Sequence, residues 1–126
     1  MTVQLNHTIV WCRDQKVSAD FLVDILGLDP PTAWGPFLDV DMVNGVTLAY
    51  HETDEAIVSQ HYAFLVGEDE FDHGFGRVRD RGLDYWADPA LSQRGAINHH
   101  DGGRGVYFFD PDGHLLELIT RPYGSA

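Results

Sequence analysis

The chain repeats itself, and that restricts its fold more than any other feature. His7 opens a β-branched, apolar run (Leu5-Asn6-His7-Thr8-Ile9-Val10-Trp11), and His61 stands in another (Gln60-His61-Tyr62-Ala63-Phe64-Leu65-Val66), 54 residues later. The Gly-Leu pairs at Gly27 and Gly82 are offset by 55. Both opening runs read as strands. Residues 16–26 place Val17, Phe21, Leu22 and Ile25 on one helical face, with Gly27 as the left-handed stop. Residues 69–81 give a weaker helix with an apolar stripe of Phe71, Phe75 and Val78 and two internal glycines. Strands follow at 32–34, 37–43 and 46–51, with Asn44-Gly45 as a hairpin turn. Their counterparts are 84–87, 105–109 and 115–120, with Pro111-Asp112-Gly113 as the turn. Each half therefore reads β-α-β-β-β, module one over about 4–53 and module two over about 59–121, in one α+β domain spanning 1–126. Residues 88–104 are left as a long loop, the kind that often carries function.

Charge narrows the partners. Twenty Asp and Glu against eight Lys and Arg give a net charge of −12. Such a field repels a phosphate backbone, so nucleic acid is not an expected partner. Apolar runs of a few residues fall far short of the ~20 a membrane span needs, and no basic, apolar leader opens the chain. Cys12 is the only cysteine, so no intrachain disulfide forms, as suits the cytoplasm; it reads as a small core residue.

Three side chains hold related places in the repeat: His7, His61 and Glu117. Glu117 lies among Leu115, Leu116, Leu118 and Ile119, and a buried carboxylate needs a partner. A divalent cation supplies one, and two imidazoles with one carboxylate form a facial set with coordination positions left open. As ordinary polar members of half-exposed strands, the same residues would need no ion. His73 reads as solvated on its helix. His114, alternating away from Glu117, reads as facing out.

The openings LNHTIVWC and QHYAFLV and the closing GRGVYFFDPDGHLLELIT resemble those of the vicinal-oxygen-chelate proteins, the glyoxalase/bleomycin-resistance/dioxygenase superfamily, over nearly the whole chain. The resemblance implies two βαβββ modules in a cupped, mostly antiparallel mixed sheet with helices outside. It also implies a metal held by His7, His61 and Glu117, with a small molecule chelated through adjacent oxygens. The ligands suit Fe(II), Mn, Ni or Zn alike. A homodimer is the expected assembly.

Within the superfamily, Asn98-His99-His100 followed by Val106-Tyr107-Phe108-Phe109-Asp110-Pro111 and Glu117 resembles the extradiol dioxygenase signature. That resemblance implies His99 or His100 and Tyr107 as the residues that hydrogen-bond a metal-bound diol. Where those enzymes carry His-His-Thr, this chain has Gly45-Val46-Thr47. By the repeat, Ala49 matches Glu117 and offers no ligand; His51 would need a shifted strand. Glyoxalase-like isomerases and fosfomycin thiol transferases are the second comparison. The latter share the Asn-His start, but here Ala96-Ile97-Asn98 and Asp101 precede the final hairpin, with only Arg94 and Arg104 nearby to take an anion. A bleomycin-sequestering protein is the third. Its cationic ligand suits the acidic charge, yet it needs no aligned ligand set.

Overall fold

The computed structural model describes residues 1–125 and divides into two units, Met1–Ile57 and a second beginning at Val58. Each unit contains one copy of the repeat. The first runs β1 (His7–Cys12), α1 (Gln15–Leu26), β2 (Thr32–Trp34), β3 (Phe37–Asp41) and β4 (Thr47–Glu52). Helix α1 begins where the Asp14 carboxylate accepts the amides of Lys16 and Val17, as an N-cap should, and Gly27 closes it. Its buried stripe is Ser18, Phe21, Leu22 and Ile25, with Ala19 beside it. Those positions follow i, i+3, i+4, i+7, which leaves Val17 outside the stripe and 54% exposed, contrary to the expectation from sequence.

The four strands lie in the order β1-β4-β3-β2, with β1 and β4 parallel and the other pairs antiparallel. Strand residues alternate between faces. One face buries Val10, Cys12, Val40, Leu48 and Tyr50. The other carries His7, Ile9 and Trp11, then Thr47, Ala49 and His51, then Phe37 and Asp39, and remains partly open apart from buried Ala49.

The second unit runs β5 (His61–Leu65), α2 (Glu68–Asp80), β6 (Gly105–Phe109) and β7 (Leu115–Ile119), in the sheet order β5-β7-β6. No side chain caps α2, but Glu68, Asp69 and Glu70 in its first turn and Arg77 and Arg79 in its last complement the helix dipole. Phe71, Gly74 and Val78 form its buried side.

The pairing reproduces the sequence repeat. In the first unit Ile9 lies opposite Ala49 and Ala49 opposite Asp39. In the second, Ala63 lies opposite Glu117 and Glu117 opposite Tyr107. Even the turns agree. Met42 N–H donates to Val46 O and Gly45 N–H to Met42 O; Asp110 N–H donates to His114 O and Gly113 N–H to Asp110 O. Gly45 and Gly113, at φ 88° and 86°, hold the left-handed position both turns require.

Two further expectations change. The strand at 84–87 is reduced to isolated bridges from Trp86 to Tyr107 and Arg94. Asp88 ends it, because its carboxylate takes the amides of Ser92 and Gln93 and turns the chain. His114 faces inward, 1% exposed, its Nδ1 accepting the Gln60 amide at 3.0 Å. Central strand β7 buries residues on both faces, so alternation away from Glu117 leads into the interior. Among the described residues no helix is long and apolar enough to cross a membrane.

Candidate metal centre

His61 and Glu117 come together because β5 and β7 are parallel neighbours. His61 lies opposite Leu115, so Glu117 stands two residues on, on the same face. The carboxylate is 1% exposed, and its Oε1 is 3.0 Å from His61 Nε2. The other ring nitrogen settles the chemistry of this contact. Nδ1 is 2.9 Å from the Leu115 carbonyl oxygen, which only accepts, so Nδ1 carries the proton. In the neutral ring Nε2 then has a lone pair facing a carboxylate oxygen, and the two acceptors require a shared cation, a proton or a metal ion. An imidazole fixed through its far nitrogen to a backbone carbonyl is a common support for a metal ligand. These residues fit a divalent ion.

The second carboxylate oxygen is held by a residue the sequence reading missed. Tyr123, in the tail beyond β7, donates its hydroxyl to Glu117 Oε2. Tyr107 lies 2.8 Å from the Tyr123 oxygen, and its ring stacks on His61 at 5.9 Å. Since a carboxylate only accepts, the proton order is Tyr107 to Tyr123 to Glu117. The one available signal was a hydroxyl-bearing ring in an otherwise polar tail, just after Pro122 and four residues past the end of β7.

Burial, then the bonds to Tyr123 and Glu117, pushes the Tyr107 hydroxyl far above the usual phenol range. Burial, then Glu117, raises Tyr123, and burial, then Asp110, raises Tyr62. Groups raised in the folded state lend stability that is full below the unfolded value, about 10, and is lost as pH climbs past it. In an alkaline ultraviolet titration, therefore, these three of the five tyrosines should stay protonated past that point and ionise late, with unfolding. Five phenols ionising together near 10 would contradict the buried network.

His7 stands in the first unit, at the start of β1. Its Nδ1 is 2.7 Å from Asn6 Oδ1, which leaves Nε2 as the remaining ring nitrogen. It lines a cleft of about 280 Å³ with Asn6, Ile9, Trp34, Phe37 and Asp39, floored by Thr47 and Ala49. Burial, then Asp41, pushes the Asp39 carboxyl upward, partly offset by His7. Among the described residues no three His, Cys, Asp or Glu side chains are grouped as around an ion. The pair of the second unit is what the structure assembles.

The other candidates are more scattered. His99 and His100 are exposed at the start of a single 3-10 turn, His100–Gly102. Among the described residues no hydrogen bond joins either ring to the Glu117 network. His51 bonds Glu52 O through Nδ1 at 2.9 Å and packs against Trp11 and Phe37. Cys12 is fully buried and His73 exposed, both as expected. Arg94 pairs with Asp84 at 2.5 Å, while Arg104 pairs with Glu68 and Asp72 at 3.0 and 2.7 Å.

The chain resembles known proteins in sequence and in fold. The sequence pattern described as the glyoxalase/bleomycin resistance protein/dioxygenase superfamily matches residues 4–118. The solved structure of oxidase ChaP-H2 is 62% identical with a TM-score of 0.97, covering 99% of this chain and 98% of that one. Glutathione transferase FosA of Serratia marcescens is 31% identical over 125 residues, 94% of this chain and 81% of that protein. A fosfomycin resistance protein FosX of Listeria monocytogenes, solved as a mutant with Mn(II), shares the fold at 22% identity and a TM-score of 0.72, covering 97% of this chain and 93% of that one.

Proposed function

Because the chain belongs to the glyoxalase/bleomycin resistance protein/dioxygenase superfamily, we propose that it is an enzyme whose His7, His61 and Glu117 hold a divalent metal ion. Its chemistry, in this reading, is oxidation of a small diol bound through adjacent oxygens, in the manner of an extradiol dioxygenase, by a homodimer. The observation that carries the metal site is the His61–Glu117 contact, in which a carbonyl-bound Nδ1 leaves an imidazole lone pair facing a buried carboxylate. The oxygen chemistry is supported by the 62% identity to a protein called an oxidase.

A bound Fe(II) or similar ion would supply Lewis-acid and oxygen-activating chemistry to the chelated diol. The chain's own residues do the rest. His61 and Glu117 present one nitrogen and one oxygen from a rigid pair of strands. Tyr107, which keeps its proton, acts as a donor and turns its O–H from Tyr123 toward a substrate oxygen when one arrives. His99 or His100 adds a second polar contact to the diol from the exposed loop.

The 31% identity to a glutathione transferase favours thiol addition as the second reading. Against it, both arginines near the final hairpin are engaged by carboxylates. One experiment divides the two: anaerobic Fe(II)-loaded protein is mixed with catechols and then oxygen, beside Mn- or Ni-loaded protein given glutathione and an epoxide. Oxygen uptake with at least one diol, lost in His7→Ala, His61→Ala and Glu117→Ala, is the expected result. No uptake with any diol, together with consumption of the thiol, would replace oxidation by transfer. Stoichiometric metal retained in all three variants would remove the site itself.

A further inference from the structure

The cleft of the first unit contains an unmatched acceptor. Asp39 Oδ1 is the one buried side-chain oxygen or nitrogen without a hydrogen-bond partner among the described residues. Two polar neighbours are committed elsewhere. The Thr47 hydroxyl, on the same face, donates to Asp41 at 2.7 Å, and His7 Nδ1 is taken by Asn6. The cleft that Asp39 lines is otherwise walled by Trp34, Phe37 and Ile9. Trp34 is 70% exposed on a short edge strand, an aromatic surface with nothing of this unit stacked on it. The pairing register gives Asp39 the place in the first unit that Tyr107 holds in the second, opposite Ala49 as Tyr107 is opposite Glu117.

We propose that Asp39 determines substrate specificity by accepting a hydrogen bond from an aryl hydroxyl whose ring lies against Trp34 and Phe37. Each half of that ligand answers one feature of the cleft. The ring meets the aromatic wall, where offset or edge-on contacts are favourable. The hydroxyl supplies the donor that the carboxylate lacks, and a charge-assisted bond of this kind is stronger than a neutral one. An aromatic ether fills the same space and offers no proton, so the site discriminates against it by leaving Asp39 unpaired. A second copy of the chain laid over this face would be the competing occupant. The proposal rests on the enzyme reading above and adds to it a phenol-accepting subsite within the first unit.

The test uses the full chain in the presence of a chelator, with ligands that have one oxygen and cannot chelate, so the metal plays no part. Calorimetric titration should show 2-naphthol binding about tenfold or more tighter than 2-methoxynaphthalene, the ratio expected for a hydrogen bond to a charged group. Asp39→Ala should erase that ratio while leaving the ether's affinity unchanged, and Trp34→Ala should weaken both ligands together. Asp39→Asn keeps the side chain's shape and should lower the ratio, which guards against a folding defect in the alanine variant. No binding of 2-naphthol by the parent, or an unchanged ratio in Asp39→Ala, would overturn the proposal. So would a dimer that loses its association in Trp34→Ala, because the face would then belong to the partner copy. Loss of the metal site would instead show in metal content, which these titrations do not read.

Discussion

Glu117→Leu should abolish metal binding and yet raise the melting temperature of the metal-free protein. Glu117 is 1% exposed between two buried leucines on the central strand of its sheet. Without an ion, that carboxylate is out of water with one imidazole contact and one tyrosine donor. Desolvation of a buried ion pair commonly exceeds what its attraction returns, and apolar replacements of similar volume are neutral or stabilising by about 1–4 kcal/mol. The partners left behind here are not stranded. The His61 side chain is 46% exposed and Tyr123 is 56% exposed, so both reach water. A gain near the low end of that range corresponds to a few degrees in a domain of this size. The checks are metal analysis after dialysis and thermal unfolding in chelator. A lower melting temperature in chelator would mean that the carboxylate stabilises the empty fold.

Tyr107→Phe and Tyr123→Phe should separate into two phenotypes although the hydroxyls are only 2.8 Å apart. Tyr123 donates directly to the carboxylate and so fixes which oxygen turns toward His61. Removing such an outer partner typically lowers metal affinity about 10- to 100-fold. Tyr107 donates to Tyr123 and acts on the carboxylate more weakly than Tyr123 does. Its loss should leave metal affinity near the parent value and lower kcat by about 10²–10⁴-fold, the range for a general acid or base. Competition with a metal-sensitive dye gives the affinities, and turnover at saturating metal gives the rates. Equal metal affinities in the two variants would contradict the proton order.

Much of this arrangement was legible because duplication writes the same local signals twice. The histidine-led strands, the Gly-Leu helix exits and the matched turns at Gly45 and Gly113 are all short-range features. Once these align, parallel pairing brings His61 beside the strand of Glu117. What escaped depends on where the chain goes next. Tyr123 matters because the tail places its hydroxyl on Glu117, and no periodicity reports that. His114 was misread because alternation distinguishes two faces without saying which of them is wet. Asp39 lies in the expected strand 37–43, and its missing donor is visible only in the structure. Trp86 reads as part of a strand until Asp88 draws the next amides into a turn.

A doubled fold owns two versions of every position, and the versions can drift apart without disturbing the frame that carries them. Where one strand carries Glu117, its twin carries Ala49, a small side chain with no buried charge at the edge of the cleft. Beside them, Tyr107 and Asp39 differ in the same way. One frame thus presents two unlike surfaces, and a substitution at a position in one half leaves its counterpart in the other untouched.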